Sequence, residues 1–221
     1  MRIRLIQFSL IFVSVLLFSW TNDETVVDFD GNIYHTVVIG KQTWLVEDLR
    51  VTHYRNGDVI PNVADSAQWT SLTTGAFCNY NNDSVISNVY GKLYNWYAVN
   101  DRRGLAPKGW HIPTDKEWAT LIDFLGGESV AGGKLKENGL KHWGSPNTGA
   151  SNQSGFTALP AGIWGRSGAF GFNTYDGNWW SSTESDAENA WSRGIDYARI
   201  NVLFYAGTKR NGLLVRCIKD R

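Results

Sequence analysis

The densest group of hard oxygen donors in the chain is Glu184-Ser185-Asp186-Ala187-Glu188-Asn189, three carboxylates and an amide in a row. Calcium takes about six to eight oxygen ligands, some of which a loop can supply from its carbonyls. Glu184, Asp186 and Glu188 are therefore candidate Ca²⁺ ligands, with a solvated acidic turn as the plainer alternative. Just before them stands Trp179-Trp180. Indole faces complement the C–H faces of sugar rings, and Asn178 or Asn173 can orient a small ligand by hydrogen bonding. Neighbouring residues on a strand point to opposite sides, so at most one of the two tryptophans can meet a ligand and both can belong to the core. Trp164, Tyr175, Asn178, Trp179 and Trp180 form the candidate glycan-contact set.

Other chemistries find less support. His35, His53, His111 and His142 occupy unrelated contexts, with no HExxH or CxxC spacing among them, so neither a metal site nor a nucleophile triad is expected. Gly127-Glu128-Ser129-Val130-Ala131-Gly132-Gly133-Lys134-Leu135 imitates a phosphate loop with the wrong spacing, and Leu135 replaces the magnesium-binding hydroxyl. There is no Gly-x-Ser-x-Gly elbow. Asp28-x-Asp30-Gly31-Asn32 lacks the closing Glu of a calcium loop and reads as a hairpin turn between β-rich runs. No catalytic residue is identified.

The framework for these groups follows from composition and pattern. The chain has 221 residues, 43% hydrophobic and 19% charged, enough for one domain with a full core. Its formal charge is zero, so the basic footprint of a nucleic-acid binder is absent. Strands are expected around Thr25–Phe29, Ile33–Ile39, Gln42–Val46, Ala190–Tyr197, Arg199–Tyr205 and Leu213–Ile218. Two helices are expected. Leu93, Trp96 and Tyr97 suggest one over Gly91–Asn100, and Thr114 with Glu117 forms a capping box that starts the other, which ends at Gly126-Gly127. Thirteen of the 23 glycines lie between Gly126 and Gly177 among scattered aromatics, which reads as ordered, self-packed loops rather than a linker. Residues 126–190 are the expected recognition surface.

Residues 1–22 carry Arg2 and Arg4 and then an uncharged, mostly apolar run from Leu5 to Trp20, the pattern of a secretory signal. The mature domain would span 23–221, secreted or held at a bacterial envelope. Trp20 stands where a lipobox would place its cysteine, so no lipid anchor is expected. In an exported chain the even pair Cys78 and Cys217 suggests one disulfide, with two buried thiols as the alternative.

Taken together, Val38-Ile39-Gly40-Lys41-Gln42-Thr43-Trp44, Asp48-Leu49, Tyr90-Gly91-Lys92-Leu93-Tyr94-Asn95-Trp96, Ala106-Pro107-Lys108-Gly109-Trp110-His111-Ile112-Pro113-Thr114-Asp115, Ser154-Gly155-Phe156-Thr157-Ala158-Leu159-Pro160, Trp179-Trp180-Ser181-Ser182-Thr183-Glu184 and Val215-Arg216-Cys217 resemble the Fibrobacter succinogenes major paralogous domain over residues 26–220. The resemblance implies a C-type-lectin-like α+β fold: loop-rich, with short antiparallel strands, two helices and paired chain termini. It also implies export, but no set activity. Ile112-Pro113-Thr114-Asp115-Lys116-Glu117-Trp118 and Leu214-Val215-Arg216-Cys217 are more distantly similar to the formylglycine-generating sulfatase-modifying enzymes, whose copper-binding cysteine pair is not matched. The triplets by which C-type lectins hold calcium and sugar are missing too, and a fold does not carry an activity with it. The expectation is a non-catalytic binding or adhesion domain, glycan first. The alternatives are a copper-dependent oxidase, or a structural envelope protein that binds another protein.

Overall fold

In Asp28-Phe29-Asp30-Gly31-Asn32 the carboxylate of Asp28 accepts from the backbone N–H groups of Asp30 and Asn32, both at 2.9 Å, and from the Tyr34 hydroxyl at 2.7 Å. Gly31 supplies the left-handed backbone at φ +80°. This turn joins β1 (Thr25–Val27) to β2 (Ile33–Ile39), and β3 (Gln42–Leu45) continues the meander. The computed structural model describes residues 24–165, 167–171 and 173–221. The expected export signal at 1–22 lies outside the described residues.

The order then runs α1 (Ser66–Thr70), β4 (Phe77–Cys78), α2 (Ser84–Tyr90), β5 (Leu93–Tyr94), α3 (Trp96–Val99), β6 (Trp110–His111), α4 (Asp115–Phe124) and α5 (Glu128–Leu135). It closes with β7 (Ile163–Trp164), β8 (Phe170–Gly171), β9 (Asp176–Glu184), β10 (Asn189–Asp196), β11 (Val202–Thr208) and β12 (Ile218–Lys219). The largest sheet has the order β1-β2-β3-β12-β6, so the first strands and the last share one sheet; β11-β10-β9 form a second. The pairings between these named strands are antiparallel. The fold is α+β.

Helix α4 begins as its residues dictate: Thr114 and Glu117 form both halves of the capping box, and Trp118, Leu121 and Ile122 bury its inner stripe. The helix expected over Gly91–Asn100 is replaced by β5 and the single turn α3. Leu93 and Tyr94 pair with β4, and Asn95 caps α3 by accepting from Ala98 N–H. Five α-helices occur among the described residues, not two. One of them, α5, lies in the glycine-rich stretch read as loop. Its Gly132 and Gly133 allow backbone contact that a side chain would block, since a Cβ would stand 2.4 Å from the Asn201 carbonyl oxygen and 2.5 Å from that of Gly149.

The two sheets are joined through the segment 213–217. Leu49 N–H donates to the Val215 carbonyl at 2.9 Å, Trp180 N–H to that of Leu214 at 3.0 Å and Leu214 N–H to that of Asn178 at 2.9 Å. Beneath this seam Arg216 and Asp48 are both buried, with Arg216 Nε donating to Asp48 Oδ1 at 2.7 Å. The same oxygen accepts from Trp179 Nε1 at 2.7 Å, while Arg216 Nη1 donates to the carbonyls of Leu45 at 3.2 Å and Phe156 at 2.6 Å.

The expected Cys78–Cys217 disulfide is not formed. Both thiols are free and buried, Cys78 in the cluster around Trp44 and Trp118 and Cys217 in the cluster around Tyr34 and Trp110. Each is held there by its strand environment: Cys78 pairs with Leu93, and the Cys217 carbonyl accepts from Leu45 N–H at 3.0 Å. Burial pushes both thiols up. No helix among the described residues is long and apolar enough to cross a membrane.

Two outcomes follow from this packing. A thiol-reactive reagent should label neither cysteine in the native protein and both in denaturant, and reducing agent should leave the thermal midpoint unchanged. Asp48→Ala, which strands the Arg216 guanidinium in the core, should cost about 3–5 kcal/mol in denaturant unfolding.

Candidate functional site

The register of the three-stranded sheet sets Asp176 opposite Asp196, Asn178 opposite Gly194, and Ser192 opposite Tyr205. These residues share one face by the two-residue alternation of strands. Of these, Asp176, Asn178, Ser192 and Tyr205 line an open groove of about 380 Å³, completed by Asn211 from the turn after β11 and by the apolar side chains of Ile163 and Leu213. Gly194 sits between two of these lining residues, Asn178 and Tyr205. A Cβ there would stand 2.8 Å from the Tyr205 ring and 2.9 Å from Asn178 Oδ1, so the glycine lets the ring and the amide come together. Tyr205 is 47% exposed at the rim. Below Gly207 the ring of Trp180 closes the groove from inside.

The acid end of the groove has its own electrostatics. Burial, and then the charge and hydrogen bond of Asp196, push the Asp176 carboxyl up to about 6. Two carboxylates facing each other across a pair of strands hold a proton better than either alone. Arg199 opposes that shift. Burial and the charge of Asp176 likewise raise the Tyr205 phenol. The end of β10 is fixed by Lys136, a fully buried ammonium that donates to the carbonyls of Asp196 at 3.0 Å, Arg199 at 2.8 Å and Thr148 at 2.9 Å. Desolvation in that carbonyl cage pushes Lys136 down to about 8.

The structure separates the candidate contact residues. Asn178 lines the groove. Tyr175 is 49% exposed, but its ring packs edge-on to Tyr197, with centroids 4.9 Å apart, outside the groove. The three tryptophans are core residues rather than a displayed surface. Trp164 packs on Phe170 at 4.0 Å, Trp179 donates to Asp48, and Trp180 donates from Nε1 to the Tyr94 carbonyl at 2.8 Å. Neither Trp179 nor Trp180 faces solvent because β9 is covered on both sides: Phe156 lies against Trp179, and β5 with the 213–215 segment lies against Trp180.

The acidic candidates are engaged by their own turn and by the turn after β11. Glu184 pairs with Lys209, Asp186 accepts from the N–H groups of Glu188 and Asn189 at 2.9 Å, and Glu188 reaches Arg210 at 3.6 Å. Among the described residues no three His, Cys, Asp or Glu side chains converge as a metal site. The groove residues that sequence reasoning missed are Asp176, Ser192, Tyr205 and Asn211. The signal for the first lay in its two-residue spacing from Asn178; Tyr205 carried no local signal, because exposure on β11 does not alternate.

The family model described as the Fibrobacter succinogenes major domain matches residues 37–219. No curated protein matches the chain.

The Asp176 shift fixes a pH dependence. Its folded pKa lies above the ordinary 3.8, so the folded state binds the proton more tightly, and this stabilisation is full below about 4 and lost as pH rises through about 6. Asp176→Asn should therefore raise the thermal midpoint at pH 7.5 and change it little at pH 3.8 or below, as read by calorimetry across that range.

Proposed function

We propose that this chain, which belongs to the Fibrobacter succinogenes major domain family, is an exported, non-catalytic domain with a C-type-lectin-like fold that binds glycan in the β9–β11 groove. The observation that carries this reading is the groove itself. An exposed tyrosine ring stands at its rim, and Asn178, Asn211, Ser192 and Asp176 offer both donors and acceptors within one cleft. A sugar presents that combination in mirror image, an apolar C–H face and a ring of hydroxyls. Export rests on the signal-like pattern of residues 1–22.

The copper-oxidase alternative needs neighbouring thiols that can ionise. Cys78 and Cys217 lie in separate core clusters and burial raises both, so the binding reading is preferred. Calcium is not needed for the proposed contact, since Glu184 pairs with Lys209, Asp186 caps its own turn and Glu188 reaches Arg210.

The test is retention of the purified protein on a panel of soluble and insoluble polysaccharides, with Ca²⁺ and again with a chelator. Retention on at least one glycan is expected, unchanged by chelation. Tyr205→Ala should weaken it by about tenfold, the worth of one aromatic contact, with the circular dichroism spectrum preserved. Failure to retain the protein on any glycan would overturn the reading in favour of a protein-binding or structural role.

A further inference from the structure

A second cleft, of about 270 Å³, opens at the β1–β2 hairpin, on residues that have no part in the groove. Its walls are apolar: Val27, Phe29, Val51, Leu105 and Pro107. The Phe29 ring is 57% exposed yet seated, because Gly57 leaves room for it; a Cβ there would stand 2.9 Å from the ring's Cζ. The polar groups set into this apolar cleft are His53, Arg55, Lys108 and Asp28.

These polar groups are sorted by charge. Asp28 is buried and satisfied inside the hairpin turn, by the two N–H groups already described, the Asn32 amide at 2.8 Å and the Tyr34 hydroxyl. Behind His53, Asp30 accepts from Thr52 N–H, from Thr52 Oγ1 at 3.0 Å and from His53 Nδ1 at 2.5 Å. Burial acts to raise Asp30, but these hydrogen bonds prevail and hold it below the usual carboxylate value. An ionised Asp30 only accepts, so His53 Nδ1 carries a proton and Nε2 is the ring atom with capacity left for a ligand. Phe29 packs against the same imidazole, its ring tilted 45° to it with centroids 5.5 Å apart. Arg55 spends Nε on the Ala106 carbonyl at 2.9 Å and Nη2 on that of Trp110 at 3.2 Å, which leaves Nη1. Among the described residues, neither Arg55 nor Lys108 has a carboxylate within ion-pair distance.

The acids here are thus turned inward and satisfied, while the unspent capacity of the cleft is cationic and set among apolar walls. We propose that the cleft is a second binding site, for a small organic acid: a carboxylate carried on an apolar body. The carboxylate lies against Arg55 Nη1 and Lys108, beside the His53 ring, and the body packs between Phe29, Val51 and Leu105. The small volume sets the ligand at the low end of the usual pocket range. Asp30 fixes the orientation of the imidazole through its hydrogen bond with Nδ1.

The test is a titration of the isotope-labelled protein with benzoate and with hexanoate, following the His53 ring resonances by NMR. Saturable shifts below about 20 mM are expected, with benzyl alcohol and hexanol at least about tenfold weaker. Lys108→Gln, whose side chain makes no hydrogen bond among the described residues, should weaken benzoate several-fold without moving the thermal midpoint. His53→Gln should abolish the binding, as read by calorimetry. Absence of saturation, equal binding of the neutral alcohols, equal binding of inorganic phosphate, or an undiminished affinity in Lys108→Gln would each overturn the proposal.

Discussion

The architecture depends on one buried charge pair. Asp48 lies just beyond the first sheet, Arg216 just before the last strand, and Trp179 on the second sheet, and a single carboxylate oxygen accepts from both of the latter. Neither ion could be left alone in that interior, since an isolated buried charge costs several kcal/mol after relaxation. The pair therefore specifies rather than merely adds: any arrangement that fails to bring the two sheets and the C-terminal segment together leaves a charge or an indole N–H unsatisfied. Arg216 extends the constraint to the loops through the carbonyls of Leu45 and Phe156, and its guanidinium stacks 4.2 Å from the Phe156 ring centroid.

The wealth of tryptophan serves the same end. Indole nitrogens tie distant backbone together: Trp69 to Arg210, Trp96 to Ser181, Trp143 to Ala158 and Trp180 to Tyr94, each donating to a carbonyl. A buried loop carbonyl must find a donor, and a large apolar ring with one N–H meets that need while filling volume. In a chain with many loops and short strands, this replaces the ladders that longer sheets would supply. The aromatic-rich stretch is ordered for that reason, and the ligand-facing chemistry falls to smaller side chains and one tyrosine.

How much of this was legible follows from range. The Asp30-Gly31 turn, the capping box at Thr114 and Glu117, and the stop at Gly126-Gly127 depend on neighbours within a few residues, and the pattern declared them. The segment Gly91–Asn100 did not declare itself, because the helical spacing of Leu93, Trp96 and Tyr97 was overridden by pairing with β4. Helix α5 was hidden because Gly132 and Gly133 argue against a helix locally, and only the close approach of the Asn201 and Gly149 backbones explains them. For the tryptophan pair, alternation alone would have put one ring outside. Covering β9 on both faces removes that option, and no local signal reports a covered face. The groove was half visible, since Asn178 could be named, whereas Tyr205, Ser192 and Asn211 reach it only through the β10–β11 register and the turn that follows.

The place of β12 in the sheet order carries a consequence for how the chain reaches this state. It lies between β3 and β6, so the central sheet cannot be completed until the last strand has been synthesised and has returned to the first. Such distant pairing raises contact order and slows folding, because loop-closure entropy is spent before the contacts that offset it form. Until then β3 and β6 present open edges on a growing polypeptide. Completion of this sheet waits on β12, and the barrier to it is set by topology more than by the strength of any one contact.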